Sequence, residues 1–267
     1  MRGLKLYAIG YLIFLYAPIA LLPLFAFNDG TVIAFPLQGF TWKWFAGLAT
    51  TPALHDAVIN SLLIAATSAI LATLLGICAA RANARYRFPF KTGILGFIMV
   101  PLVLPEIIVG VSLLVVIANI FSMRLSLWTV VLGHTLICMP FAIAILNSAF
   151  DNLDASLEEA AVDLGETPWN TFRLVTLPLV MPGIVSSLLI SFTISLDEFI
   201  IAFFLTGAEP TMPVYIWAQL RFPNSLPIIM ALGTILVALS IVLLTVAEIF
   251  RRRGLARAGV RDTGGFL

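Results

Sequence analysis

The long apolar runs of this chain constrain its fold more than any other feature of the sequence. A bilayer core of about 30 Å needs about 20 helical residues to cross it, and six segments meet that length. The chain is 61% hydrophobic and 11% charged, whereas soluble domains carry about 25% charged residues. We therefore predict an all-α integral membrane protein with six transmembrane helices, which excludes a soluble enzyme and a nucleic-acid-binding protein. The predicted spans are Leu6–Phe27, Ala57–Ala80, Thr92–Ile120, Leu127–Phe150, Pro182–Leu205 and Leu226–Phe250.

The basic residues indicate how these spans are oriented. With the N-terminus inside, 12 of the 15 Lys and Arg residues flank the inner ends of the spans, and only Lys43, Arg124 and Arg221 flank the outer ends. Short cytoplasmic loops of membrane proteins carry such an excess of basic residues. The sequence thus predicts a multi-pass topology with both termini in the cytoplasm.

The connections between spans divide the chain into three regions. An outer loop that contains Trp42, Trp44 and Phe45 suits a short helix near the lipid headgroups. We expect this loop and the first span to form an N-terminal region, 1–56. A transmembrane core, 57–250, follows and includes a polar inner loop, 151–181. A basic cytoplasmic tail, 251–267, ends the chain and contacts anionic membrane lipid.

The inner loop has the local pattern of a short helix that ends at a glycine. Asp154 or Ser156 can cap its start, and Glu158 and Glu159 complement the helix dipole. Gly165 can adopt the left-handed conformation that ends a helix. The following residues, Thr167 as cap and Pro168 in the first turn, predict a second short helix.

The first of these helices has an apolar face. The residues that share it at steps of three and four are Leu157, Ala160, Ala161 and Leu164. Two alanines on one face let a partner approach closely. From the residues alone, this face either docks a partner or covers the inner end of the helical bundle.

Three carboxylates lie within apolar spans: Glu106, Asp197 and Glu198. A charge at the bilayer centre costs about 2.5–3.5 kcal/mol on insertion scales. No Lys or Arg lies inside the spans to pair with them. They therefore stay protonated, bond to neighbouring hydroxyls, face an aqueous path, or meet a cation supplied from elsewhere. Asp197 and Glu198 point about 100° apart on a helix, so we expect different roles for them.

The sequence lacks the motifs of catalytic and metal sites. It has no G-x-x-x-x-G-K-[ST] phosphate loop and no H-E-x-x-H pair. Cys78 and Cys138 lie in apolar runs without metal-ligand spacing, which predicts packing roles. We predict neither a catalytic residue nor a bound metal.

The inner loop resembles the EAA loop of ABC importer permeases. Its anchors are Glu159-Ala160-Ala161, then Gly165, Val175 and Leu177-Pro178, with Val175 as the single departure, in place of isoleucine. The resemblance implies a type I ABC importer permease fold in the bacterial inner membrane, with this loop as a cytoplasmic coupling helix. The residues that would couple to the ATPase are Glu158, Glu159, Ala160, Ala161, Gly165, Leu177 and Pro178.

Further strings extend the resemblance to the second permease subunit of spermidine/putrescine importers. They are Asn60-Ser61-Leu62, Leu104-Pro105-Glu106, Ser195-Leu196-Asp197-Glu198-Phe199 and Phe204-Leu205-Thr206-Gly207. The family pattern has a second Asp where this chain has Glu198. The resemblance implies polyamine transport, with Asp197, Glu198 and Glu106 along the substrate path.

The resemblance also implies partners. A second permease subunit would complete the pore as a heterodimer, two ATPase subunits would bind ATP and Mg²⁺, and a periplasmic or extracellular binding protein would deliver substrate. This chain would then be a transport subunit, without enzyme activity or a cofactor of its own. Related permeases carry opines, betaines, phosphonates or ferric iron. An alternative from another class is a stand-alone secondary transporter, which would have no need for an exposed docking loop.

Overall fold

The computed structural model of the chain describes residues 2–257, so residues 258–267 of the predicted tail lie outside the described residues. Within residues 2–257 the regular structure is helical, and Asn28 and Phe40 form an isolated backbone bridge. The helices are α1 (Arg2–Ala26), α2 (Lys43–Ala49), α3 (Pro52–Arg85), α4 (Lys91–Ile98), α5 (Glu106–Val115), α6 (Leu127–Asp151), α7 (Ala155–Asp163), α8 (Pro168–Thr171), α9 (Leu177–Asp197), α10 (Ile200–Leu205), α11 (Met212–Gln219) and α12 (Leu226–Arg257).

The predicted spans are confirmed in number, and the third has a different form. Among the described residues, five helices are long and apolar enough to cross a membrane, and a bent pair makes the sixth. In that pair, Lys91–Leu102 and Glu106–Ile120 are bent by 104°. The segment predicted as one span, Thr92–Ile120, is therefore two helices joined by a sharp bend. Pro101 and Pro105 explain the break, because proline removes a backbone donor and clashes with the preceding turn.

The fifth span also differs from its prediction. A continuous helical stretch, Pro168–Asp197, includes α8, a wider π-helical turn and α9. The predicted second short helix is therefore the first turn of the spanning helix rather than a separate element. The span predicted to run to Leu205 is broken at Glu198, which has an extended backbone (ψ 113°). α10 follows as a separate half-helix.

One compact unit comprises Met1–Pro52 and Ile216–Leu267. In it α1 and α2 both pack on α12. The predicted short helix of the outer loop is α2. Stacked and tilted aromatic rings surround its start, with Phe27 5.1 Å from Phe40 and 4.8 Å from Phe45 between ring centroids.

The other compact unit is Ala53–Tyr215, and α6 is its central helix. α6 packs closely against α9 and α10. A Cβ atom at Gly133 of α6 would come within 2.5 Å of Ile201, and one at Gly183 of α9 within 2.5 Å of Ala149. Small residues let membrane helices approach in this way, because van der Waals packing and interhelical hydrogen bonds replace the hydrophobic driving force.

Polar side chains add to this packing along one face of α9. Ser187 and Thr73 join their hydroxyls at 3.0 Å, and Ser195 bonds Nδ1 of His134 at 2.7 Å. The Cys138 thiol donates to the carbonyl of Ser191 at 3.4 Å. Lipid offers no hydrogen-bond partner to these polar groups, so each pairing satisfies them within the protein. Together the pairings hold α9 in register against α3 and α6.

Candidate functional site

The inner loop begins with a capped helix. The side chain of Asp154 accepts a hydrogen bond from the backbone N–H of Ser156 at 3.0 Å, so Asp154 is the cap of α7. The hydrogen bonds from Ser156 hold the pKa of the Asp154 carboxyl below its ordinary value. The carboxylate also lies at the positive end of the helix, where a negative charge is favoured.

Gly165 ends α7 in the left-handed conformation that the sequence predicts, with φ at +92°. The N–H of Glu166 reaches the carbonyl of Ala161 at 3.1 Å, and that of Gly165 reaches Val162 at 2.9 Å. These two bonds form a Schellman motif, which satisfies carbonyls that the helix end leaves unpaired. The chain then re-enters a helix, where Thr167 accepts from the N–H of Asn170 at 3.3 Å. Both caps therefore fix the turn between α7 and α8.

Glu158 ties α7 to the rest of its unit. Its carboxylate forms an ion pair with Arg85 at the end of α3 and accepts a hydrogen bond from the hydroxyl of Thr176. Arg85 also donates to the carbonyl of Leu153 at 3.3 Å. Only 15% of the Glu158 side chain is exposed. The structure thus places Glu158 as an anchor of the loop.

The opposite side of α7 is open. Glu159 and Ala160 are exposed, and Leu164 is 87% exposed. Ala161 packs inward with 8% exposure. The predicted apolar face is therefore divided. Ala161 faces its own bundle, whereas Leu157, Ala160 and Leu164 face outward. Apolar side chains on this side of α7 are therefore left uncovered by the rest of the chain.

The last two predicted coupling residues lie farther along the chain. Leu177 and Pro178 occupy the first turn of α9, beyond the π-helical turn, with Leu177 half-buried and Pro178 exposed. The structure does not bring them to the outer side of α7. They form the junction through which the loop continues into the spanning helix.

The intramembrane carboxylates lie at the two broken spans. Glu106 is exposed and begins α5, directly after the bend of the third span. Asp197 ends α9 and is exposed, whereas Glu198 follows in the break and is 8% exposed. The predicted divergence of Asp197 and Glu198 is present, because one faces outward and the other is buried.

Glu198 has a structural partner that the sequence does not reveal. Its carboxylate oxygen accepts the N–H of Ile201 at 3.0 Å, so it caps α10 inside the apolar span. Behind this break, His134 is 1% exposed and bonds Ser195, two residues before Asp197. His134 is thus a hydrogen-bonded residue of the bundle, as its apolar surroundings in the sequence indicate.

The two half-helices beyond the breaks lie side by side. A Cβ atom at Gly110 of α5 would come within 2.7 Å of the Phe204 ring of α10, so a glycine is needed for this contact. The half-helices that follow Glu106 and Glu198, α5 and α10, therefore pack on one another in one part of the unit.

Known proteins match this chain in sequence and in fold. A family model described as "Binding-protein-dependent transport system inner membrane component" matches residues 72–254. The matched segment includes the inner loop and both broken spans.

Two curated proteins illustrate the similarity in sequence. The spermidine/putrescine transport system permease protein PotC of Escherichia coli (strain K12) is 34% identical over 240 residues, which cover 90% of each chain. The putrescine transport system permease protein PotI of the same strain is 36% identical over 230 residues, covering 84% of this chain and 81% of PotI.

The fold also matches a solved structure. The crystal structure of a bacterial ABC transporter involved in the import of the acidic polysaccharide alginate superposes with a TM-score of 0.69 at 16% identity. The superposition covers 94% of this chain and 98% of that one. It supports the predicted type I permease fold.

Proposed function

Because the chain belongs to the family of binding-protein-dependent transport system inner membrane components, it is a multi-pass permease subunit of an ABC importer, and we propose that its substrates are polyamines such as spermidine and putrescine. The relatives PotC and PotI are named for these substrates. The chain would form one half of the translocation path.

The observation that carries this proposal is the pair of exposed carboxylates at the span breaks, Glu106 and Asp197. A polyamine carries several ammonium groups, and each loses hydration when it enters a path of low dielectric. Carboxylates within the path offset that loss. No hydrogen bond or ion pair joins Asp197 to another of the described residues, so its charge is available to a cargo.

Glu198 has a different role in this proposal. Its side chain caps α10 and is buried, so it holds the break in shape. Glu106 and Asp197 contact the cargo, and Glu198 positions Asp197. This assignment separates three carboxylates that look equivalent in the sequence.

The cytoplasmic loop supports the expected assembly. We propose that one of two ATPase subunits, which bind ATP and Mg²⁺, docks on the exposed side of α7 and on the turn at Gly165. A second, related permease completes the pore, and a binding protein delivers substrate at the outer side. An exposed docking helix favours this assembly over a stand-alone secondary transporter.

The proposed orientation places both termini in the cytoplasm. Single cysteines at Gly30 and Asn224 should react with a membrane-impermeant maleimide added from outside. A cysteine at Asp163, on α7, should react only after the membrane is permeabilised. Labelling of position 163 from the outer face would overturn this topology.

The substrate assignment is tested with the complete transporter in proteoliposomes. We expect uptake of radiolabelled spermidine, and we expect Asp197→Asn to reduce it at least about tenfold, because one charge-assisted contact is lost. The matched control is Asp151→Asn, an exposed acidic residue at the end of α6 with no proposed role in the path or in docking, which should leave uptake unchanged. Wild-type uptake by both Asp197→Asn and Glu106→Gln would contradict the polyamine path.

A further inference from the structure

A small cavity on the cytoplasmic side lies next to the docking helix. It has a volume of about 220 Å³, and Arg81, Arg85, Glu158, Val162 and Thr171 are among its lining residues. The ends of α3, α7 and α8 form its walls. Neither the family pattern nor the proposed coupling residues account for it.

Hydrogen-bond donors in this cavity lack partners. Thr171 is 5% exposed, and its hydroxyl has no partner among the described residues. The buried Nε of Arg81 also has none. A buried polar group left without a hydrogen bond is costly, and native structures rarely leave such groups unpaired. Both residues line this one cavity.

The charges around the cavity select the kind of acceptor. Arg85 is neutralised by Glu158. Arg81 stacks over the Phe172 ring, with its guanidinium carbon 4.3 Å from the ring centroid, and has no carboxylate partner among the described residues. One positive charge is therefore uncompensated. An arginine with a free edge favours a carboxylate or a phosphate.

The surroundings of the cavity identify the source of that acceptor. Val162 lines the cavity and is itself 52% exposed, so the cavity opens directly onto the outer side of α7. Three exposed acidic residues lie on the same loop: Glu159, Asp163 and Glu166. A basic cavity on an acidic loop, the acidic rim, is complementary to a partner surface on which an acidic residue is flanked by basic residues.

We propose that this cavity receives an acidic side chain of the ATPase subunit, flanked on that subunit by basic residues. The carboxylate would accept hydrogen bonds from the Arg81 guanidinium and the Thr171 hydroxyl, while the basic neighbours meet the acidic rim. Such a paired pattern fixes the register of docking, because a shifted partner would place like charges together. This inference rests on the proposed function, since it needs an ATPase partner.

The test measures how tightly the purified ATPase subunit binds the permease pair in lipid nanodiscs, across a range of salt concentrations. We expect Arg81→Gln to weaken binding by about tenfold or more and to flatten its salt dependence. Thr171→Val, which keeps the side-chain shape, should weaken binding by about threefold. The matched control is Arg87→Gln, since Arg87 is exposed on the same connection but does not line the cavity.

A charge swap separates pairing from general damage. Arg81→Glu should abolish binding, and one acidic-to-basic substitution among the surface carboxylates of the ATPase subunit should restore it. If Arg81→Gln binds like Arg87→Gln, or if no substitution rescues Arg81→Glu, the proposal is wrong. If Arg81→Gln instead removes co-purifying phosphatidylglycerol without affecting binding, the cavity holds a lipid headgroup and the proposal is also wrong. A wild-type permease pair that binds no ATPase subunit would contradict the proposed function instead.

Discussion

The cytoplasmic loop and the broken spans both carry carboxylates, and they use them in opposite ways. In the loop, Glu158 is neutralised by Arg85 within the same chain, and its pairing fixes the position of α7. In the spans, Glu198 meets only a backbone donor, and Asp197 is exposed. The first region thus uses an ion pair to hold a shape, whereas the second combines a buried carboxylate that caps a half-helix with an exposed one, which the proposed cation path requires.

The largest effect should come from the turn of the loop. Gly165→Val places a β-branched residue at φ +92°, which costs about 1–3 kcal/mol and distorts the Schellman turn. We expect the protein to insert normally and to lose ATP-driven uptake almost completely. The control is Gly96→Ala, since a Cβ atom there meets nothing within 4 Å. Uptake at the wild-type rate by Gly165→Val would show that the turn has no coupling role.

Breaking the ion pair between Arg85 and Glu158 should have an intermediate effect. Arg85→Gln leaves Glu158 partly buried without its cation, and we expect a loss of roughly 2 kcal/mol in thermal unfolding of the detergent-solubilised protein. Because the pair joins α3 to α7, the exchange Arg85→Glu with Glu158→Arg should recover part of that loss. If Arg85→Gln is as stable as the wild-type protein, α7 is held by other contacts.

The smallest effect should come from the exposed cap of α7. The pKa of Asp154 is lowered in the folded protein, so its contribution is present above the ordinary pKa and lost as pH falls through the lowered one. Asp154→Ala should therefore weaken protection of the α7 amides from hydrogen exchange at neutral pH. The difference from wild type should shrink towards acidic pH, and a difference that grows there would contradict the cap assignment.

The sequence predicts the loop better than the breaks, for physical reasons. Asp154, Gly165, Thr167 and Pro168 act on their own backbone, so local chemistry places them correctly. The anchor of Glu158 joins residues 73 positions apart, and nothing in the spacing of Arg85 indicates it. Likewise, Pro101 and Pro105 explain where the third span breaks, but their positions do not give the 104° angle of the bend.

The three carboxylates in the spans also have surroundings that the sequence predicts only in part. Their cost in a membrane marks all of them as functional candidates, and helical geometry predicts that Asp197 and Glu198 diverge. It does not reveal which of the two is buried, because that depends on the break after Asp197 and on the N–H of Ile201. The exposure of Cys78, which its apolar run predicts to be packed, likewise depends on which face of α3 meets the bundle.

The central claim is that one region couples and the other carries the cargo, and measuring spermidine uptake and ATP hydrolysis in the same proteoliposomes tests it most directly. We predict that Gly165→Val retains hydrolysis that spermidine and its binding protein no longer stimulate, with no uptake at any spermidine concentration. We predict that Asp197→Asn keeps wild-type basal hydrolysis and recovers stimulated uptake as spermidine is raised. Identical responses of the two variants to spermidine concentration would contradict this division.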